Sequence, residues 1–207
     1  MSRQEPIEQS WMPRTKLGLL VQEGKIATLG EIFESGLKIR EAEIVRTLLP
    51  DIKDNVISAG IVQKQTDAGE LTRFSSVVAV GNSAGFFGVG KGKANQMRNA
   101  IEKATNIAML NIIPVKLGCG SWECKCSHRH SVPYKTNGKG GSVRVEIIPG
   151  PRGLGLVAGE TVRTLLGLAG IVDAWTRTSG STSTPNSLSN AVYDALKRIH
   201  GLSLIPK

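Results

Sequence analysis

The sequence predicts an α+β fold in two parts: a helix, three antiparallel strands and a helix, then a strand–helix–strand–helix unit. Three observations carry that prediction. Apolar and β-branched runs at residues 56–62, 77–80 and 143–147 are bounded by turn residues such as Gly, Asn, Asp and Pro. Apolar residues recur at helical spacing at Met97, Ile101, Ala104 and Ala108, and again at Val162, Leu165, Leu166 and Ala169. The links at 67–70 and 82–85 are short and carry Asp, Asn and Gly, which suit hairpin turns.

Taken in order, residues 1–37 are mixed and weakly periodic. Gly18, Gly24, Gly30 and Gly36 interrupt any long helix, and 29–34 suits a short one. Arg14, Lys16 and Lys25 fit an extended arm laid along another surface; a poorly ordered tail has the same composition. Residues 39–49 make a better helix, with Ile44, Val45, Leu48 and Leu49 in one stripe and Pro50 as its stop. A strand starts at Val56 and turns polar at Gln63-Lys64-Gln65-Thr66. The chain reverses at 67–70 and returns through Arg73 into Val77-Val78-Ala79-Val80. A short strand at 86–89 pairs back, and Gly88-Val89-Gly90-Lys91-Gly92-Lys93 leads into the long helix. Arg98 and Glu102 are spaced to pair on the outer face of that helix. In the second part, Val143, Val145 and Ile147 alternate with Arg144 and Glu146 in a half-buried strand. Residues 149–155 turn the chain, and a helix follows that stops at Gly170. A strand at 171–178, a polar loop at 179–187 and a helix at 188–199 complete the fold, with Ala191, Val192, Ala195, Leu196 and Ile199 facing inward.

The segment 88–93 combines backbone donors with cations. Glycine lets the main chain approach a partner. Amides at a helix start carry partial positive charge, and Lys91 and Lys93 add full charges. Such a place favours phosphate, unless the glycines merely close a hairpin beside solvated lysines. Gly85 to Lys91 matches the first seven positions of a nucleotide P-loop, but Gly92 stands where a Ser or Thr should bind magnesium. A nucleic-acid backbone, which needs no metal ligand, fits better. Residues 153–159 faintly resemble the phosphate loop of galactokinase–homoserine kinase type enzymes, yet Val157 and Ala158 replace their serines. No G-x-S-x-G elbow, H-E-x-x-H helix or paired carboxylates supply an acid, a base and a nucleophile, so no enzyme is predicted. Lys64 and Arg73 flank the first hairpin turn, where they either face water or reach a nucleic acid.

Among 207 residues, 26 Lys and Arg against 17 acids give a net charge of +9. That surplus points to a polyanionic partner. No apolar run approaches the roughly 20 residues of a bilayer span, and the start, MSRQEPIEQSW, lacks the apolar stretch of a signal peptide. No membrane association is expected. Three cysteines crowded at 119–126 do not make a secreted disulfide framework and fit a reducing cytoplasm. Cys119, Cys124, Cys126 and His130 form a tetrahedral donor set that would take zinc, His130 suiting the fourth position better than His128, whose reach is cramped. Three reduced thiols in a loop are the plain alternative.

Two segments resemble a known family. FSSVVAVGNSAGFFGVGKGKANQMRNAIEKA, residues 74–104, resembles the signature of the universal small-subunit ribosomal protein number five. GSVRVEIIPGPRGLGLVAGETVRTLLGLAGIVDAWTRTSGSTSTPN, residues 141–186, resembles that family's second domain. The resemblance covers residues 55–199 in order, lengths and glycine positions, and the arm and Cys/His insert are similar to the archaeal branch. It implies an arm with short helices at 1–54, a double-stranded-RNA-binding-like domain at 55–117, a Cys/His connector at 118–140 and a βαβα domain at 141–207. It also implies a left-handed crossover in the second domain, where physics alone favours the right-handed form.

The same resemblance implies a cytoplasmic structural constituent of the small ribosomal subunit. Such a protein binds 16S-type rRNA, touches small-subunit proteins four and eight, and lies where mRNA enters its channel. It supports decoding accuracy and head–body geometry. Carried over by position, Lys64, Gly69 and Arg73 fall in the hairpin near the mRNA path, and Gly88, Gly90, Lys91 and Lys93 in the glycine–basic segment. With Arg98 and Arg152, the expected RNA contacts are Lys64, Arg73, Gly88, Gly90, Lys91, Lys93, Arg98 and Arg152. The family's bacterial members lack the cysteines, so zinc rests on the cluster alone. The second reading is a free-standing RNA-binding regulator.

Overall fold

A computed structural model describes residues 11–124, 126 and 128–203, the side chains of 202 and 203 excepted. It divides into a small N-terminal unit ending at Pro50 and a larger unit beginning at Asp51.

The first unit holds α1 (Lys16–Gln22), α2 (Leu29–Glu34) and α3 (Ala42–Leu48). The expected arm carries short helices, two of them at the predicted places, and α1 was not predicted. Caps explain the difference. Thr15 Oγ1 accepts from Gly18 N at 3.1 Å. Thr28 Oγ1 accepts from Glu31 N and donates to the Glu31 carboxylate, which also accepts from Ala27 N, a reciprocal cap that starts a helix despite weak apolar periodicity. Leu17, Val21, Leu29, Ile32, Ile44 and Val45 are buried. Residues 1–10 of the predicted arm lie outside the described residues.

Glu41 ties this unit together. Its carboxylate accepts from Trp11 Nε1 at 3.0 Å, Arg14 N at 2.9 Å and Thr15 N at 2.8 Å. Burial pushes its pKa up, but the hydrogen bonds from Arg14, Thr15 and Trp11 outweigh that and leave it below the usual 4.5. A carboxylate with a depressed folded pKa stabilises above its unfolded value and loses that contribution as pH falls through the folded one. Acidification from about pH 5 to about pH 3 is therefore expected to collapse the Trp11 indole N–H resonance toward its random-coil position. In Glu41→Gln that resonance should show no such titration.

The second unit holds β1 (Lys53–Thr66), β2 (Gly69–Gly81), β3 (Phe86–Ala94), α4 (Met97–Leu110) and β4 (Ile113–Pro114). It continues with β5 (Thr136–Gly140), β6 (Val143–Pro149), β7 (Leu156–Val157), α5 (Glu160–Ala169), β8 (Ala174–Ser179) and α6 (Pro185–Ser203). One sheet runs β1-β2-β3-β4 and is antiparallel; the other runs β5-β6-β8-β7. Only β7 and β8 are parallel among the paired strands, joined through α5 as the crossover requires. The α+β architecture is as predicted, with three additional short strands, β4, β5 and β7. Gly170 stops α5 in the left-handed conformation, at φ 88°. Helix α6 begins inside the predicted polar loop, because proline is tolerated in a first helical turn.

The largest correction concerns the glycine–lysine segment. It is not a loop entering a helix: β3 continues through it to Ala94. Gly88, Gly90 and Gly92 alternate onto one face and lie against Ala108, Ala104 and Ala100 of α4. The absence of Cβ atoms lets helix and sheet backbones touch. The buried stripe of α4 is accordingly Ala100, Ala104, Ala108 and Met109, whereas Met97 and Ile101 are only half-buried. The second sheet repeats the device, with Gly138 and Gly140 of β5 against Ala195, Ala191 and Ser187 of α6. One continuous core joins the sheets, including Phe87 and Val89 from the first and Val145 and Ile147 from the second. Tyr193 of α6 donates to Asn111 O at 2.9 Å, at the end of α4.

Candidate nucleic-acid surface and metal centre

Strand register sorts the predicted RNA residues by face. Lys64 pairs opposite Leu71 and Arg73 opposite Val62, two rows apart and so on one face. Ser75 opposite Lys93 and Val77 opposite Lys91 extend that face onto β3. Lys64, Arg73, Lys91 and Lys93 are all exposed there. Gly88 and Gly90 point the other way and are buried within the β2–β3 ladder, so α4, not an outside partner, accounts for their lack of side chains. Arg98 is exposed on α4, and its predicted pair with Glu102 is not among the ion pairs of the described residues.

Arg73 and Lys93 line a cleft of about 610 Å³ with Asn95, Asn99, Glu102, Lys103 and Asn106. Asn95, Asn99, Glu102 and Asn106 stand at i, i+4, i+7 and i+11, one stripe of the helix region. Sequence reasoning missed these amides because it searched for apolar periodicity. Their polar periodicity was the available signal. Cations suit phosphates, and amides offer donors and acceptors to base edges.

Arg152 belongs to the other sheet's 149–155 turn, beside the thiols. There, donor atoms of Cys119, Cys124, Cys126 and His130 all lie within 4.8 Å of one another. Cys124 Sγ is 3.0 Å from Cys126 Sγ, which is 3.6 Å from Cys119 Sγ and 3.1 Å from His130 Nε2. Sulfurs about 2.3 Å from a tetrahedral zinc would sit about 3.7 Å apart. The four donors therefore converge as a closed tetrahedral set could. His128 is exposed and lies outside it.

The loop is pinned on both sides. Gly118 and Ser131 exchange backbone hydrogen bonds at 2.8 and 2.9 Å, and Val172 N and Asp173 N both donate to His130 O. Buried Asp173 accepts from His130 Nδ1 at 2.8 Å through one oxygen and from Gly155 N at 2.7 Å through the other. That bond turns Nε2 toward the thiols, as carboxylates do behind ligating histidines. Sequence reasoning missed Asp173, since nothing links positions 43 residues apart. Burial, with help from Cys126 and Cys124, pushes the Cys119 thiol up to about 11. Hydrogen bonds to Cys124 from the Cys126 thiol first, then from the Arg152 and Cys126 amides, bring it down to about 6. A thiolate among N–H donors is the form that ligates a metal.

Residues 52–116 match the family described as ribosomal protein S5, N-terminal domain, and residues 138–205 match ribosomal protein S5, C-terminal domain. Three relatives carry the name small ribosomal subunit protein uS5. The chain is 56% identical to that of Cenarchaeum symbiosum over 95% of itself and 90% of the relative. It is 54% identical to that of Thermofilum pendens over 92% of itself and 94% of the relative, and 54% identical to that of Aeropyrum pernix over 93% and 88%. With one S5 domain matched on each sheet, in order, and more than half of the aligned residues shared with archaeal relatives along nearly the full chain, this protein belongs to the ribosomal protein S5 family.

Proposed function

We propose that the chain is a structural constituent of the small ribosomal subunit in the cytoplasm, binding rRNA and catalysing no reaction. The observation that carries this is the gathering of the exposed side chains Lys64, Arg73, Lys91 and Lys93 on one face of the first sheet, beyond the part that the core covers. Each cation neutralises a phosphate, and the shared core holds both sheets as a rigid platform between RNA segments. The long β1–β2 hairpin supports a place near mRNA where it enters its channel, and with it a part in decoding accuracy. Contacts with small-subunit proteins four and eight belong to the same reading. No helix among the described residues is long and apolar enough to cross a membrane. The relatives' names lend no support to a free-standing regulator.

A tagged copy is expected to sediment with small subunits at high salt. Lys91→Ala with Lys93→Ala should flatten the salt dependence of rRNA binding by about 1.5 to 2 in log–log slope. An unchanged slope in filter binding would remove both lysines from the interface.

We also propose that Cys119, Cys124, Cys126 and His130 hold zinc. The converging donors and the Asp173 carboxylate behind His130 support this. A bound zinc would cross-link the connector, and with four protein ligands it would keep no open position for chemistry.

A further inference from the structure

The turn at 149–155 carries Arg152, whose side chain is exposed and makes no ion pair among the described residues. Gly153 and Gly155 adopt positive φ, 86° and 75°, and nothing lies within 4 Å of where a Cβ would stand at either. Packing therefore does not seat those positions. Backbone hydrogen bonds hold the turn, one from Ala174 N to Gly155 O at 3.2 Å and others to groups around the thiol–imidazole network. Gly150 N donates to Oγ of Ser131, next to His130, at 3.3 Å. The Arg152 amide is close enough to Cys124 Sγ to help bring that thiol's pKa down. Gly155 N donates to Asp173, the carboxylate that grips His130.

We infer that the metal centre presents Arg152 to RNA: besides the bond from Ala174 N to Gly155 O, the turn's amides meet one ligand thiol, the carboxylate behind His130 and the serine that follows His130. The inference rests on the zinc and RNA readings above. A metal draws three thiolates and one imidazole to a common point, which fixes Cys124 Sγ and the Asp173–His130 pair. Fixed acceptors then fix the turn, and the turn fixes the direction of the guanidinium. Without the metal, the acceptor for Arg152 N rides on a loop no longer closed at its centre. Arg152 then samples many orientations, and its phosphate contact bears the cost of ordering it.

The test is filter binding of full-length protein to an archaeal 16S rRNA transcript, zinc-loaded and chelator-stripped. Wild type is compared with Arg152→Ala and Lys93→Ala. Arg152→Ala keeps the amide to Cys124 and should keep one zinc per chain. Stripping is expected to weaken wild type and Lys93→Ala by about tenfold each, and Arg152→Ala, already about tenfold weaker, by less than about twofold. Equal losses in all three overturn the inference. Should stripping unfold the chain by far-ultraviolet circular dichroism, Asp173→Asn saturated with zinc replaces the stripped protein. Its weaker binding must then vanish in the Arg152→Ala background, and persistence there overturns the inference. Absence of zinc from wild type would instead defeat the metal reading, and binding without salt dependence the RNA reading.

Discussion

Gly90→Ala is expected to destabilise the second unit by at least about 4 kcal/mol, at the upper end of single-substitution effects. The new Cβ would overlap Ala104 O and Ala108 N and lie 2.9 Å from Ala108 Cα. These are backbone atoms, so no rotamer change relieves the clash. Helix α4 would have to lift from β3, opening the seam along which Gly88, Gly90 and Gly92 meet Ala108, Ala104 and Ala100. Thermal unfolding should show a midpoint lower by on the order of 10 °C, or no cooperative transition. Gly60→Ala is the control. Gly60 lies in β1 with nothing within 4 Å of its added Cβ and no positive φ, so its change should stay within about 0.5 kcal/mol. Comparable losses at both positions would mean that strand glycines matter for reasons other than the helix seam.

Asp173→Asn is expected to lower zinc affinity about 10- to 100-fold while leaving the fold intact. The carboxylate accepts two N–H bonds, one from His130 Nδ1 and one from Gly155 N. An amide of the same shape has one acceptor and one donor end. If its oxygen meets His130, its NH₂ faces the Gly155 N–H. If its NH₂ meets His130 Nδ1, the ring must carry its proton on Nε2, the atom that should ligate. Either orientation penalises the metal-bound state. Metal analysis should find one zinc per wild-type chain after gentle purification, and competition with a chromogenic chelator should show the weakened variant. An unchanged affinity would assign Asp173 to packing alone, and less than about 0.2 zinc per wild-type chain would remove the site itself.

Hairpin chemistry at Asp67 to Glu70 and Asn82 to Gly85, the apolar stripes of α5 and α6, and the stop at Gly170 were legible because each is local. The Cys119, Cys124, Cys126 and His130 group was legible too, since its four members crowd within 12 residues. Helix α1 was hidden because a cap, not a stripe, starts it.

The chain's letters determined by themselves its surplus of cations, its two strand-and-helix parts, its turns and the crowding of three cysteines with two histidines in the connector. Only the tertiary structure decided what the glycines are for, which lysines share a face and what stands behind His130. A glycine suits a phosphate or a helix equally well, and the neighbour that decides between them, Ala104 against Gly90, is brought there by folding. Asp173 meets His130 in the same way, through a β8 approach that no spacing encodes.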